Sequence, residues 1–78
     1  MMSEMERVLA ALRDHADETR WVQGTYRDVA EWIGEEASGW DIHGLMVELN
    51  AEGAFGPERP YMTGGGRGGG EFKVRLVR

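Results

Sequence analysis

The sequence predicts a small α+β domain, a three-helix bundle joined to a small antiparallel sheet, and three observations predict it. Ser3–Glu6, Thr25–Asp28 and Ser38–Asp41 each place a hydroxyl three residues before an acid. That is the spacing of a capping box, in which side chains and backbone satisfy each other's free donors at a helix start. Each pair precedes apolar residues at the i, i+3, i+4 spacing of one helix face. The chain then closes on "EFKVRLV", whose strict alternation is that of a half-buried strand.

The first helix is expected from about Glu4 to His15, with Met5, Val8, Leu9, Leu12 and Ala16 as its inner stripe. In "TRWVQGT", Trp21 and Val22 favour extended backbone and Gly24 ends it, so a short strand follows, with Trp21 expected in the core. The second helix starts after Thr25 and stops at Gly34, a natural residue just past a helix end; its inner face is Tyr26, Val29, Ala30 and Ile33, with Trp32 at the border. The third runs from about Gly39 to Glu52, ends at Gly53, and turns Ile42, Leu45, Met46 and Leu49 inward. After it, "AFGPERPYMT" contains Pro57 and Pro60. Proline cannot donate to a ladder, so this segment can only be an edge strand. In the last segment Phe72, Val74 and Leu76 face one way, and Lys73, Arg75 and Val77 the other.

The stretch "TGGGRGGGEF" holds six glycines around Arg67. Gly64, Gly66 and Gly69 satisfy G-x-G-x-x-G, but a dinucleotide site needs a strand before the motif and a helix after it, and here a strand follows. No Lys-Ser or Lys-Thr completes a P-loop. One "RGGG" is a single copy of an element that works as repeats, and eight residues after Gly70 leave no second domain for a linker to join. The remaining reading is the tip of a hairpin spanning about 55–78, where glycine removes the steric cost of turning.

Helix, short strand, helix, helix, strand, long turn, strand is an order that resembles the winged helix-turn-helix superfamily. The residues that carry the resemblance are "TYRDVAEWIG", "DIHGLMVELNAEGAF" and the terminal hairpin. It covers the whole chain, read as one domain over residues 1–78. One departure is the turn "GEEAS", which puts three residues between Gly34 and Ser38 where many members have two. The resemblance implies a winged-helix fold whose last strand lies mid-sheet, and binding of duplex DNA in a transcription-regulatory or accessory role. By position it implies that Thr25, Tyr26 and Arg27 approach the DNA backbone, that Ser38, Trp40 and His43 lie at the groove side of the third helix, and that Arg67, Lys73 and Arg75 hold the wing on the duplex.

Charge supports part of this. The 78 residues carry a net charge of −5, which speaks against a general polyanion binder. Residues 1–54 hold twelve acids and four arginines, whereas residues 55–78 hold two acids and five bases. A basic C-terminal quarter on an acidic body can meet phosphates locally. The third helix itself has no Arg or Lys, the usual readers of guanine, and Asp41 and Glu48 repel phosphate. The alternative is therefore a protein-binding domain within a larger complex, using Trp40, Val47 and the acidic faces; a homodimer also suits the charge pattern.

Other classes are set aside. No cysteine is present, so disulfides and thiolate metal sites are excluded. His15 and His43 stand at no metal spacing, and no acid pair sits in an evident apolar pocket, so neither a metal, another cofactor nor catalysis is expected. No apolar run approaches the roughly 18 residues of a membrane span, and the charged N-terminus is not a signal peptide, so a cytoplasmic protein without membrane contact is expected.

Overall fold

The computed structural model describes residues 2–34, 39–58, 60–64 and 69–78. Helix α1 (Glu4–His15) begins where its capping box predicts: the Ser3 hydroxyl accepts from the Glu6 amide, and the Glu6 carboxylate accepts from the Ser3 amide. Its inward face is Val8, Leu9, Ala11 and Leu12, with Met5 and Ala16 packed at the border.

The turn after α1 is organised by Asp17. Its Oδ1 accepts from the Thr19 hydroxyl (2.6 Å), the Thr19 amide (2.8 Å) and the Trp21 amide (3.0 Å). Bonds from Thr19, then from Trp21, hold its carboxyl below the usual range. Arg20 closes the turn with a left-handed backbone (φ 72°), unusual for a residue with a Cβ.

Strand β1 (Trp21–Thr25) runs directly into α2 (Tyr26–Ile33). Thr25 Oγ1 accepts from the Asp28 amide (3.0 Å), and Asp28 Oδ2 accepts from the Thr25 amide (2.9 Å), which completes the second capping box. Gly34 ends α2 at φ 73°. Helix α3 (Gly39–Ala51) turns Ile42, Met46 and Leu49 fully inward. Its end falls before Glu52 because the Gly53 and Ala54 amides take the carbonyls of Asn50 and Leu49. The third capping box involves Ser38, outside the described residues.

Strands β2 (Tyr61–Met62) and β3 (Glu71–Arg75) complete a three-stranded antiparallel sheet of order β1-β3-β2. The proline-free strand lies in the middle and the proline-bearing segment at an edge, as proline requires. That edge is short: Phe55 makes only an isolated bridge to Leu76, and pairing resumes at Tyr61, after Pro57 and Pro60.

The inner sheet face, Val22, Phe72, Val74 and Leu76, packs with the three helices into one core. Trp21 is not part of it. Adjacent strand residues point to opposite faces, so burial of Val22 sends Trp21 to the outer face, half-buried, with Lys73 Nζ 5.6 Å above its ring. Trp32 borders the core as expected and stacks on His15 (ring centroids 3.8 Å apart). No helix among the described residues is long and apolar enough to cross a membrane.

Candidate nucleic-acid interface

The start of α2, the middle of α3 and the root of the glycine-rich loop meet at Tyr26. As the first residue of α2 it falls on the inward stripe, and its side chain is 1% exposed. Its hydroxyl donates to the Thr63 carbonyl (2.7 Å), and its amide donates to the Gly70 carbonyl (3.3 Å). Its ring stacks on Phe72 and takes His43 of α3 at its edge, with centroids 5.1 Å apart. Burial pushes the phenol pKa up, so it stays a neutral donor.

The loop root is further closed by Thr63. Its amide donates to the Glu71 carbonyl (3.0 Å), and its hydroxyl accepts from the Glu71 amide (2.8 Å). Gly70 stands at φ 151°, and a Cβ there would come 2.8 Å from Tyr26 Cε2 and 3.0 Å from the Thr63 carbonyl oxygen. Gly64 runs beside His43: a Cβ on it would lie 3.8 Å from Nε2. The two ends of the loop are thus fixed against α2 and α3.

Tyr26 is a correction to the expected set of backbone contacts. A phenol spent on Thr63 and a ring enclosed by Phe72 and His43 leave nothing to meet a phosphate; the residue holds the loop root in place. Its neighbours remain outside. Thr25 is exposed as the helix cap, and Arg27 is exposed in the first turn of α2. His43 is half-buried between Tyr26 and the loop. Ser38, Arg67 and the side chain of Trp40 lie outside the described residues.

Lys73 and Arg75 lie on the outer sheet face, turned away from His43 by the parity of β3. The structure therefore sorts the expected residues into two groups, one beside α3 and one across the sheet. Arg75 Nε donates to Glu58 Oε2 at 2.7 Å, an ion pair that holds the Glu58 carboxyl below its usual range. Part of the positive charge expected of this segment is thereby neutralised.

Described outward residues of α3 are Asp41, Gly44, Val47, Glu48, Asn50 and Ala51, with Val47 45% exposed. Two residues escaped the sequence reading. Thr63 closes the loop root, and Tyr61, opposite Lys73 in register, presents its ring outward at 53% exposure. Both follow from the pairing of β2 with β3, which becomes visible once "PYMT" is aligned against "EFKV" rather than read alone. Among the described residues, no group of three His, Cys, Asp or Glu side chains is placed to hold a metal ion. No protein-family model, curated protein or solved structure matches the chain.

Proposed function

We propose that this chain is a winged helix-turn-helix domain that binds nucleic acid, as duplex DNA, in a regulatory or accessory role. In this reading α2 and α3 are the helix-turn-helix pair, and β2, β3 and their glycine-rich loop are the wing. One observation carries it: Tyr26 ties the start of α2, His43 on α3 and both ends of the loop into one edge of the molecule. Thr25 and Arg27, on either side of Tyr26 in the chain, are exposed, and the sequence adds Arg67 within the loop.

The chemistry favours holding the backbone over reading bases. Asp41 and Glu48 line the outer face of α3 where Arg or Lys would contact guanine. Phosphate contacts from Arg27 and Arg67 supply affinity that is largely independent of sequence and sensitive to salt. The test is fluorescence anisotropy of a mixed pool of labelled duplexes at about 50 and 200 mM salt. Arg27→Ala and Arg67→Ala should each weaken binding and flatten the salt slope by about one. Absence of binding at high micromolar protein removes autonomous DNA binding.

A second reading has its own observation. Val47, 45% exposed and flanked on α3 by Asp41, Gly44 and Glu48, suits a basic, partly apolar protein partner. In that case Val47→Asp abolishes partner binding, and Arg27→Ala does not.

A further inference from the structure

On the outer face of the sheet Gln23, Tyr61 and Lys73 are exposed, and the chemistry there differs from that of the α3 edge. One row crosses all three strands: Tyr61 of β2 is opposite Lys73 of β3, and Lys73 is opposite Gln23 of β1. The next row pairs Trp21 with Arg75. From Glu71 to Arg75 and their partners, the face holds aromatic, amide, hydroxyl and charged side chains and no aliphatic one. An apolar peptide has little to bury against it.

Lys73 stands between two shallow depressions, each with an aromatic wall. One, of about 350 Å³, is lined by Trp21, His15, Asp17 and Gln23; the other, of about 390 Å³, by Tyr61, Thr25, Glu71 and Gln23. Each lies near the lower end of the range for small-ligand clefts, which suits a single ring system. Strand spacing of about 4.8 Å and rise of about 3.4 Å place the Trp21 and Tyr61 positions roughly 12 Å apart on the diagonal. Two separate rings fit there better than one large ligand.

The charges have an order. Arg75 is neutralised by Glu58, and Glu71 lies 3.5 Å from the Tyr61 hydroxyl. Among the described residues Lys73 has no carboxylate within ion-pair distance; its ammonium is poised over Trp21. The face therefore sets one exposed, mobile ammonium beside two rings, Trp21 and Tyr61, a chemistry that complements bases joined by a phosphate.

We propose that this face, through Trp21, Lys73 and Tyr61, takes an unpaired nucleic-acid strand, so that the domain prefers a duplex carrying a single-stranded extension. Paired bases hide their flat surfaces in the helical stack, whereas unpaired bases offer them to aromatic side chains. The proposal rests on the nucleic-acid reading above and specifies the form of its ligand.

The experiment compares one labelled duplex, blunt or with a ten-nucleotide single-stranded extension, by anisotropy. Wild-type protein should bind the extended duplex about tenfold more tightly than the blunt one. Tyr61→Ala should remove that gain and leave blunt-duplex affinity unchanged; Tyr61→Phe, which keeps the ring and loses the contact with Glu71, should retain it. Lys73→Gln should reduce the gain and flatten its salt slope by about one. Equal affinity for both duplexes, or a gain that survives Tyr61→Ala, overturns the proposal and leaves duplex binding standing. Binding of neither form overturns both readings.

Discussion

The two ends of β3 are anchored by opposite means. At the Glu71 end the anchors are neutral and built around one enclosed ring: the part-buried Tyr26 hydroxyl on the Thr63 carbonyl, and beside it the more exposed exchange between Thr63 and Glu71. At the Leu76 end they are charged and mostly exposed. Arg20 Nε donates to the Leu76 carbonyl (2.8 Å), Arg20 Nη2 to the Arg78 carbonyl (2.9 Å), and Arg13 Nε to the same carbonyl (3.0 Å). A buried ring has one position, and everything around it must fit. A long arginine in water has many, and its loss is partly replaced by solvent. The loop root should therefore tolerate almost no change and the tail a good deal.

The largest expected effect is at Gly70. Replacement by Ala drives a Cβ into Tyr26 and Thr63 and imposes a backbone angle that disfavours side chains, costing about 3 kcal/mol in urea unfolding. A loss below about 1 kcal/mol would mean that the root relaxes freely, and the contrast between the two ends would fail. Tyr26→Phe keeps the ring and leaves the Thr63 carbonyl without its donor, at a cost of about 1–2 kcal/mol. At the tail, Arg20→Ala should cost about 1 kcal/mol. Arg20→Gly should recover roughly 0.5–1 kcal/mol of that, because glycine adopts φ 72° without the steric penalty. An Arg20→Ala loss as large as that of Gly70→Ala would erase the distinction.

The smallest effect is a pH dependence near the tail. Asp17 has its folded pKa lowered, so its contribution is fully present above the unfolded value of about 4 and fades as pH falls through the lower, folded one. Comparison of Asp17→Asn with wild type by thermal melts should show a gap at pH 7 that closes under strong acid. Thr19 and Trp21 face this carboxylate through hydrogen bonds, and Lys73 is the charge that also lowers its pKa.

Local signals were legible and non-local ones were not. The starts of α1 and α2 could be read because a capping box lies within four residues. The strand order could be read because two prolines exclude the middle position. Tyr26 illustrates a conflict between two kinds of signal. Helical spacing put it inside, the family resemblance put it at the DNA backbone, and packing followed the spacing. Trp21 was misplaced because hydrophobicity was weighed before strand parity: of two adjacent apolar residues only one can face the core, and Val22 does. The outer-face row of Tyr61, Lys73 and Gln23 joins residues up to fifty apart in sequence and depends on a register that no local pattern fixes.

The carboxylates that bracket β1 have a consequence for behaviour at high concentration. An open strand edge is a template on which another chain can add a strand, and small sheets have two such edges. On β1, Asp17 takes the Trp21 amide at one end and Asp28 takes the Thr25 amide at the other. Main-chain groups alternate in direction along an antiparallel strand, so Gln23 alone keeps both of its own aimed outward between them. On the opposite side, β2 is two residues long and follows Pro60 directly. Among the described residues, neither edge strand keeps a long run of outward main-chain groups for cross-chain pairing. Two aspartates and two prolines thus work against β-aggregation through geometry, and protection of that kind should persist where salt screens the net charge.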